Sequence, residues 1–194
     1  MDNRGKIIVV AAPSGCGKST IINTILGDAG AEDLNLGFAV SATTRPPREG
    51  EQHGVNYYFI SEEEFRAAIA EGRFVEYEEV YPGRLYGTLH SEVERITGSG
   101  RNIILDIDVN GALGVKKIYG ERALTLFIEP PSIEELRNRL INRGTETADV
   151  IEVRVDRAKY EISRASEFDA IIVNDKIDEA VCAIRNAILG FIRG

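Results

Sequence analysis

Apolar residues in this chain fall into short unbroken runs that alternate with stretches where they recur every three or four positions. Ile7-Ile8-Val9-Val10-Ala11 is the first run and ends in a turn rich in proline and glycine, which predicts a central strand buried on both faces. After the turn, Ile21, Ile22, Ile25 and Leu26 repeat at helical spacing, and Gly27 and Gly30 mark the stop. Further runs at Ile103-Ile104-Leu105, Leu124 to Ile128 and Ala170 to Val173 are each separated by a helical pattern. This alternation predicts βαβ units, a parallel sheet and an α/β fold. At the end of the chain, Ile177, Val181, Ile184, Ile188 and Phe191 form one apolar stripe that suits a helix packed on the sheet.

Two stretches break this rhythm. Within residues 41–90, Tyr57 to Ile60 and Phe74 to Tyr77 have the character of short strands around a helix from about Glu62 to Ala70, a small mixed α/β insertion. Residues 132–165 are helical and strongly charged, with a breaker at Arg143-Gly144-Thr145-Glu146-Thr147 and few apolar anchors. A segment that buries little opens easily, so a lid is expected there. The 194 residues then form one domain: a core of 1–40, 91–135 and 166–194, an insertion at 41–90 and a lid region at 136–165.

Composition narrows the function. Hydrophobic content of 43% and charged content of 28% are those of a folded globular chain. A net charge of −8 argues against nonspecific nucleic-acid binding, and no window approaches the roughly 20 apolar residues of a membrane span. Cys16 and Cys182 lie far apart and offer neither a disulfide framework nor metal-ligand spacing, so free thiols in the cytoplasm are expected.

Ala12-Pro13-Ser14-Gly15-Cys16-Gly17-Lys18-Ser19-Thr20 lies between the first strand and the first helix, the context of a Walker A loop. Gly15 and Gly17 let successive N–H groups turn inward on a phosphate, and the helix adds its positive end. Lys18 is placed to reach the β- and γ-phosphates of ATP and the Ser19 hydroxyl to sit on Mg²⁺. Ala12 stands where the motif has glycine, but the phosphate donors come from later in the loop. An ordinary strand-to-helix turn would not need Lys18 and Ser19 at these places. Cys16 is either a redox-sensitive thiol at a helix start or simply a small residue the loop tolerates.

In Ser41-Ala42-Thr43-Thr44-Arg45-Pro46-Pro47-Arg48, an extended polyproline-like path brings Arg45 and Arg48 to one side about 9 Å apart. Two guanidinium forks on one cavity suit a phosphate monoester; the alternative is a surface Pro-Arg loop. Asp106 and Asp108 lie two apart at the end of a buried strand, where carboxylates belong to a site.

Together the Walker A string, S-A-T-T-R-P-P-R from Ser41, Tyr57 before Tyr58-Phe59-Ile60, F-V-E at Phe74 to Glu76, and Y-G-T at Tyr86 to Thr88 resemble guanylate kinases. Asp106-Ile107-Asp108, the Arg143 to Thr147 string and Val173-Asn174-Asp175 extend the resemblance over nearly the whole chain. It implies a parallel-sheet P-loop kinase that moves the γ-phosphoryl group of Mg-ATP to GMP. On that resemblance Arg45, Arg48, Tyr57 and Tyr86 hold the GMP phosphate, while Ser41, Glu76, Thr88 and Asp108 hold guanine. Guanine presents N1–H and a 2-amino group as donors, for which carboxylates are suitable acceptors; adenine lacks both. The resemblance also implies that Asp106 acts near Mg²⁺ through water, that Arg139 and Arg154 close over the ATP phosphates with Arg143 beside them, and that Asn174 lies near adenine. For these arginines, and for Arg137 and Arg157, the bland alternative is a solvated surface role, as it is for Glu78 and Glu79. Two rival functions remain: a kinase for another phosphate ester such as a ribose phosphate, against which Glu76 and Asp108 speak, and a non-catalytic binding module, against which the intact Lys18 and Ser19 speak.

Overall fold

In the computed structural model the described residues are 4–27, 31–81, 83–142, 144 and 147–194. Five strands, β1 (Ile7–Ala11), β2 (Leu36–Phe38), β7 (Asn102–Asp106), β8 (Ala123–Glu129) and β9 (Ala170–Val173), form a sheet in the order β2-β7-β1-β8-β9, with every pairing parallel. β1 is central because its run has no polar side to turn to water: all five of its residues are buried. Ile8 and Val10 join the cluster on one face and Ile7, Val9 and Ala11 the cluster on the other.

One face is covered by α1 (Lys18–Gly27), α6 (Ile133–Asn142), α7 (Ala148–Ser163) and α8 (Ile177–Arg193), and the other by α4 (His90–Gly98) and α5 (Val109–Tyr119). The short α2 (Ala31–Leu34) leads into β2. The stripe expected on α8 is shifted by part of a turn: Ala180, Ile184 and Ile188 are its buried centre, whereas Ile177 is exposed and Phe191 lies under the Lys6 ammonium at 5.0 Å. Ile188 and Ile184 carry the packing, and alanine at 180 lets the helix approach.

The insertion has its own sheet, β4-β3-β6-β5, built from β3 (Ala42–Thr43), β4 (Tyr58–Phe59), β5 (Phe74–Tyr81) and β6 (Arg84–Leu89). α3 (Glu62–Ala70) starts at a Ser61/Glu64 capping box, a device that satisfies two otherwise unpaired amides. It seats Phe65 on Phe74, with ring centroids 4.3 Å apart, over a small separate core.

The helical segment 132–165 differs from expectation. It does not bury little: Leu136 and Leu140 of α6 and Ile151, Val155 and Ala158 of α7 all belong to the main core cluster. Their spacing of three and four was masked by the charged residues between them. Of the breaker between the helices, Arg143, Thr145 and Glu146 lie outside the described residues, as does Gly30. No described helix is long and apolar enough to cross a membrane.

Ile184 is fully buried between α8 and the sheet. Ile184→Ala is therefore expected to cost about 2–5 kcal/mol of stability, read as a lower urea midpoint with unchanged slope.

Candidate active site

Everything with chemical potential collects at the carboxyl edge of the main sheet, the edge where open α/β sheets hold ligands. The loop from Ala12 to Gly17 leaves β1 there. Gly15 has φ 99° and Gly17 φ 82°, which side chains rarely adopt. A Cβ on Gly17 would lie 2.7 Å from Asn174 Nδ2, and that amide donates to Cys16 O at 2.7 Å. Buried Asn174, just past β9, thus pins the loop from behind. Ala12 is outside the left-handed region and its methyl packs on the core cluster, so the missing first glycine is accommodated without strain.

Cys16 is fully buried, and that burial pushes its thiol up to about 12, with Arg139 and Lys18 pulling weakly the other way. The structure therefore favours a small packing residue over a redox-sensitive thiol.

Lys18 Nζ lies 2.5 Å from Asp106 Oδ1 and donates to Ile107 O at 3.1 Å. Ser19 and Thr20 are exposed on the first turn of α1. From this loop a cavity of about 720 Å³ extends to the insertion, lined at the far end by Ser41, Tyr57, Glu76, Tyr86 and Asp108 and on the α7 side by Arg154 and Glu161. A second cavity of about 420 Å³ lies behind the loop, among Gly15, Gly17, Arg139, Asn142, Asn174 and Asp175.

The two carboxylates expected to act together do converge. Asp108 is the N-cap of α5 and accepts from Gly111 N at 2.8 Å. A Cβ on Gly111 would stand 2.8 Å from Asp108 Oδ1 and 3.1 Å from Glu76 Oε2, so both groups lie against the same helical turn. Burial raises the Glu76 carboxyl to about 7, helped by repulsion from Asp108 and Glu78 and opposed by Thr88. Thr88 Oγ1 itself is buried and has no partner of good hydrogen-bond geometry among the described residues.

Arg45 and Arg48 are not the matched pair of free forks that the sequence suggested. Arg45 is buried, with NH2 donating to Glu51 Oε1 at 2.8 Å and its guanidinium 5.5 Å from the Tyr57 ring centroid, while Arg48 is exposed and outside the cavity lining. Glu51, unremarked in the sequence, organises both: its second oxygen accepts from Arg48 N at 2.7 Å. Tyr57 and Tyr86 stand edge to face with centroids 5.9 Å apart.

Arg154 and Arg139, on α7 and α6, are turned inward. Arg154 donates to Ser14 Oγ in the loop at 2.5 Å, and Arg139 donates to Asn174 O at 3.1 Å and to Glu135 Oε1 at 2.9 Å. Arg137 pairs with Glu152, tying α6 to α7. Glu78 is not the solvated residue expected: it lines the cavity and accepts from Arg157 NH2 at 2.5 Å. Glu79 caps the hairpin by accepting from Gly83 N at 2.8 Å. The sequence signals for the missed residues were only spacings: Glu51 three after Arg48, and Glu161 one turn after Arg157.

Comparison with known proteins gives the family. A family model described as guanylate kinase matches residues 4–190. The chain is 55% identical over 175 residues to a guanylate kinase of Bacteroides fragilis, spanning 90% of this chain and 84% of that one. It is 54% identical over 187 residues to a guanylate kinase of Porphyromonas gingivalis, spanning 96% and 98%. A crystal structure of guanylate kinase from Anaplasma phagocytophilum superposes with a TM-score of 0.74 at 31% identity, over 99% of this chain and 88% of that one.

With Cys16 buried and Cys182 exposed, thiol titration of the native chain is expected to find one fast-reacting group and, after denaturation, two. Rapid loss of both thiols under native conditions would contradict the placement of Cys16.

Proposed function

The chain belongs to the guanylate kinase family, and we propose that the two ends of its central cavity are the donor and acceptor sites through which it moves the γ-phosphoryl group of ATP to GMP. The observation that carries the acceptor assignment is the convergence of Glu76 and Asp108 on one turn of α5, across the cavity from the phosphate cradle.

At the donor end, the loop around Gly15 and Gly17 and the start of α1 receive the ATP phosphates. Lys18 is held ready by Asp106 and Ile107 O, in line with the cavity. Magnesium ions bound with nucleotides need few protein ligands, because phosphate oxygens and water supply the rest. Ser19 and Asp106 fit that requirement: an exposed hydroxyl and a carboxylate beside Lys18, both on the cavity wall. When bound, Mg²⁺ supplies charge compensation for the phosphate oxygens. The smaller cavity beside Asn174 accommodates the adenine end.

At the acceptor end, Glu76 and Asp108 take the N1–H and 2-amino protons of guanine, and the Thr88 and Ser41 hydroxyls complete the base contacts. Thr88 Oγ1 is buried beside the Glu76 carboxyl, which it helps to hold for the base. Tyr57 and Tyr86, with Arg45 behind them, receive the GMP phosphate, and Arg48 joins from the exposed loop. Arg154 and Arg139 hold the lid region against the cradle and offset the charge that spreads over the transferred oxygens. Residues 41–90 act as the GMP-binding insertion and 136–165 as the lid, which excludes water from the transferred group. We place the activity in the cytoplasm with its nucleotides.

The decisive assay is coupled ADP formation with GMP, AMP, UMP and CMP offered in turn. Turnover is expected with GMP alone; equal turnover with another nucleotide, or none with GMP, overturns the proposal. In the same assay Lys18→Ala is expected to lower kcat by about a hundred- to thousandfold while leaving the fold intact by circular dichroism.

Glu76 gives a pH signature. In the free chain its carboxyl keeps its proton up to about 7, and only the carboxylate accepts both guanine donors. Between about pH 8 and about pH 6 the KM for GMP should therefore rise roughly tenfold while that for ATP stays flat. Glu76→Gln should weaken GMP at both pH values and remove the slope. Because the folded value is raised, the stability that Glu76 contributes is full at acid pH and is lost as pH rises through about 7.

A further inference from the structure

Arg157 stands inside the cavity yet has no part in either substrate site described above. Its NH2 donates to Glu78 Oε1 of β5 at 2.5 Å and its Nε to Glu161 Oε1 at 3.0 Å, one turn further along α7. Two neighbours give this bridge its significance. Glu78 lies two residues from Glu76, so the two share a face of β5. Arg157 lies three residues from Arg154, so these share a face of α7, and Arg154 already reaches Ser14 of the phosphate loop.

We infer that Glu78 and Arg157 are positioning residues for phosphoryl transfer: they fasten the lid helix α7 to the strand that carries Glu76, so that Arg154 faces the cradle when the acceptor base is in place. The inference rests on the phosphotransfer reading of the cavity. Glu161 supports the geometry. It is 8% exposed, and burial raises its carboxyl while Arg157 draws it down, so the guanidinium is held from below by a group that needs it. Arg157 is thus fixed at one end by its own helix and, among the described residues, grips the insertion through Glu78. Among the described residues this is the ion pair that joins α7 to the insertion sheet. Arg137 to Glu152, by contrast, stays within the helical segment.

Its strength can be bounded. Glu78 is 29% and Arg157 49% exposed, so solvent screens the pair and it belongs with partly exposed ion pairs. Such pairs shift an open–closed equilibrium by roughly two- to fivefold. That is too little to hold the fold together and enough to change how often Arg154 is in place during the transfer step.

The test is a double-mutant cycle on the full chain: Glu78→Gln, Arg157→Gln and both together, with kcat, the KM for ATP and for GMP, and the urea midpoint measured for each. Glu78→Gln is expected to lower kcat two- to fivefold, with both KM values within twofold and the urea midpoint unchanged. Arg157→Gln should lower kcat at least as far, since it also strips Glu161, and adding Glu78→Gln to it should cost nothing more. Arg157→Lys, which keeps a charge within reach, should recover part of the loss. Multiplicative losses, a Glu78→Gln chain whose kcat is unchanged or raised, or a kcat loss that tracks a lower urea midpoint would each overturn the inference. None of these outcomes bears on whether the wild-type chain phosphorylates GMP, so failure of the coupled assay is a separate result.

Discussion

The constraint on which the rest of this structure depends is the reversal of the backbone at Gly15 and Gly17. A chain leaving a fully buried strand carries amides that would ordinarily continue a sheet or begin a helix at once. Here two left-handed residues turn the chain first, and behind the loop the Asn174 amide stands so close that a Cβ on Gly17 would lie 2.7 Å from it. The loop is therefore held by the far end of the sheet as well as by its own turn. Leu136 and Leu140 press on the same loop from α6, within about 3 Å of where a Gly15 side chain would begin. The loop's shape and the seat of α6 are thereby fitted to each other.

The charge pattern explains how a chain of net charge −8 receives two polyanions. The cationic groups at the site do not wait bare. Lys18 rests on Asp106, Arg45 on Glu51, Arg139 on Glu135 and Arg157 on Glu78 and Glu161. Each carboxylate keeps its cation aimed in the absence of ligand, so phosphate binding becomes an exchange of anions around fixed cations. Exchange of this kind avoids leaving a partly buried charge unpaired at any stage, which is the costly condition.

Much of the fold was legible because its strongest signals are local. The β1 run, the α3 limits and the phosphate loop could be placed from residue type and spacing alone, and the structure puts them where those signals lay. β2 and β3, of three and two residues, carry too few positions for any period to show. The charged helices α6 and α7 misled because charge density was taken for lack of burial, although Leu136, Leu140, Ile151, Val155 and Ala158 keep an apolar stripe beneath it. In the site, Glu76 and Asp108 could be paired from the family pattern, but Glu78 could not be told from a solvated neighbour. Its partner is 79 residues away, and only the packing of α7 over the insertion brings Arg157 to it. Glu51 was silent for a related reason: its task is to satisfy Arg45, and that need exists only once Arg45 is buried.

Asp108 performs two tasks with one carboxylate, closing the N-terminus of α5 while standing beside Glu76 in the cavity. For descent with modification this is a restriction. On the acceptor role proposed for Asp108, a lineage drifting toward another nucleobase would have to exchange this residue, and most exchanges would uncap a helix that covers the sheet. Asparagine or serine would keep the cap but would no longer offer a charged acceptor, so the accessible paths run through those residues first. The acceptor preference of the scaffold is in this way protected by its architecture, and retargeting it, by nature or by design, has to begin with a replacement for the cap.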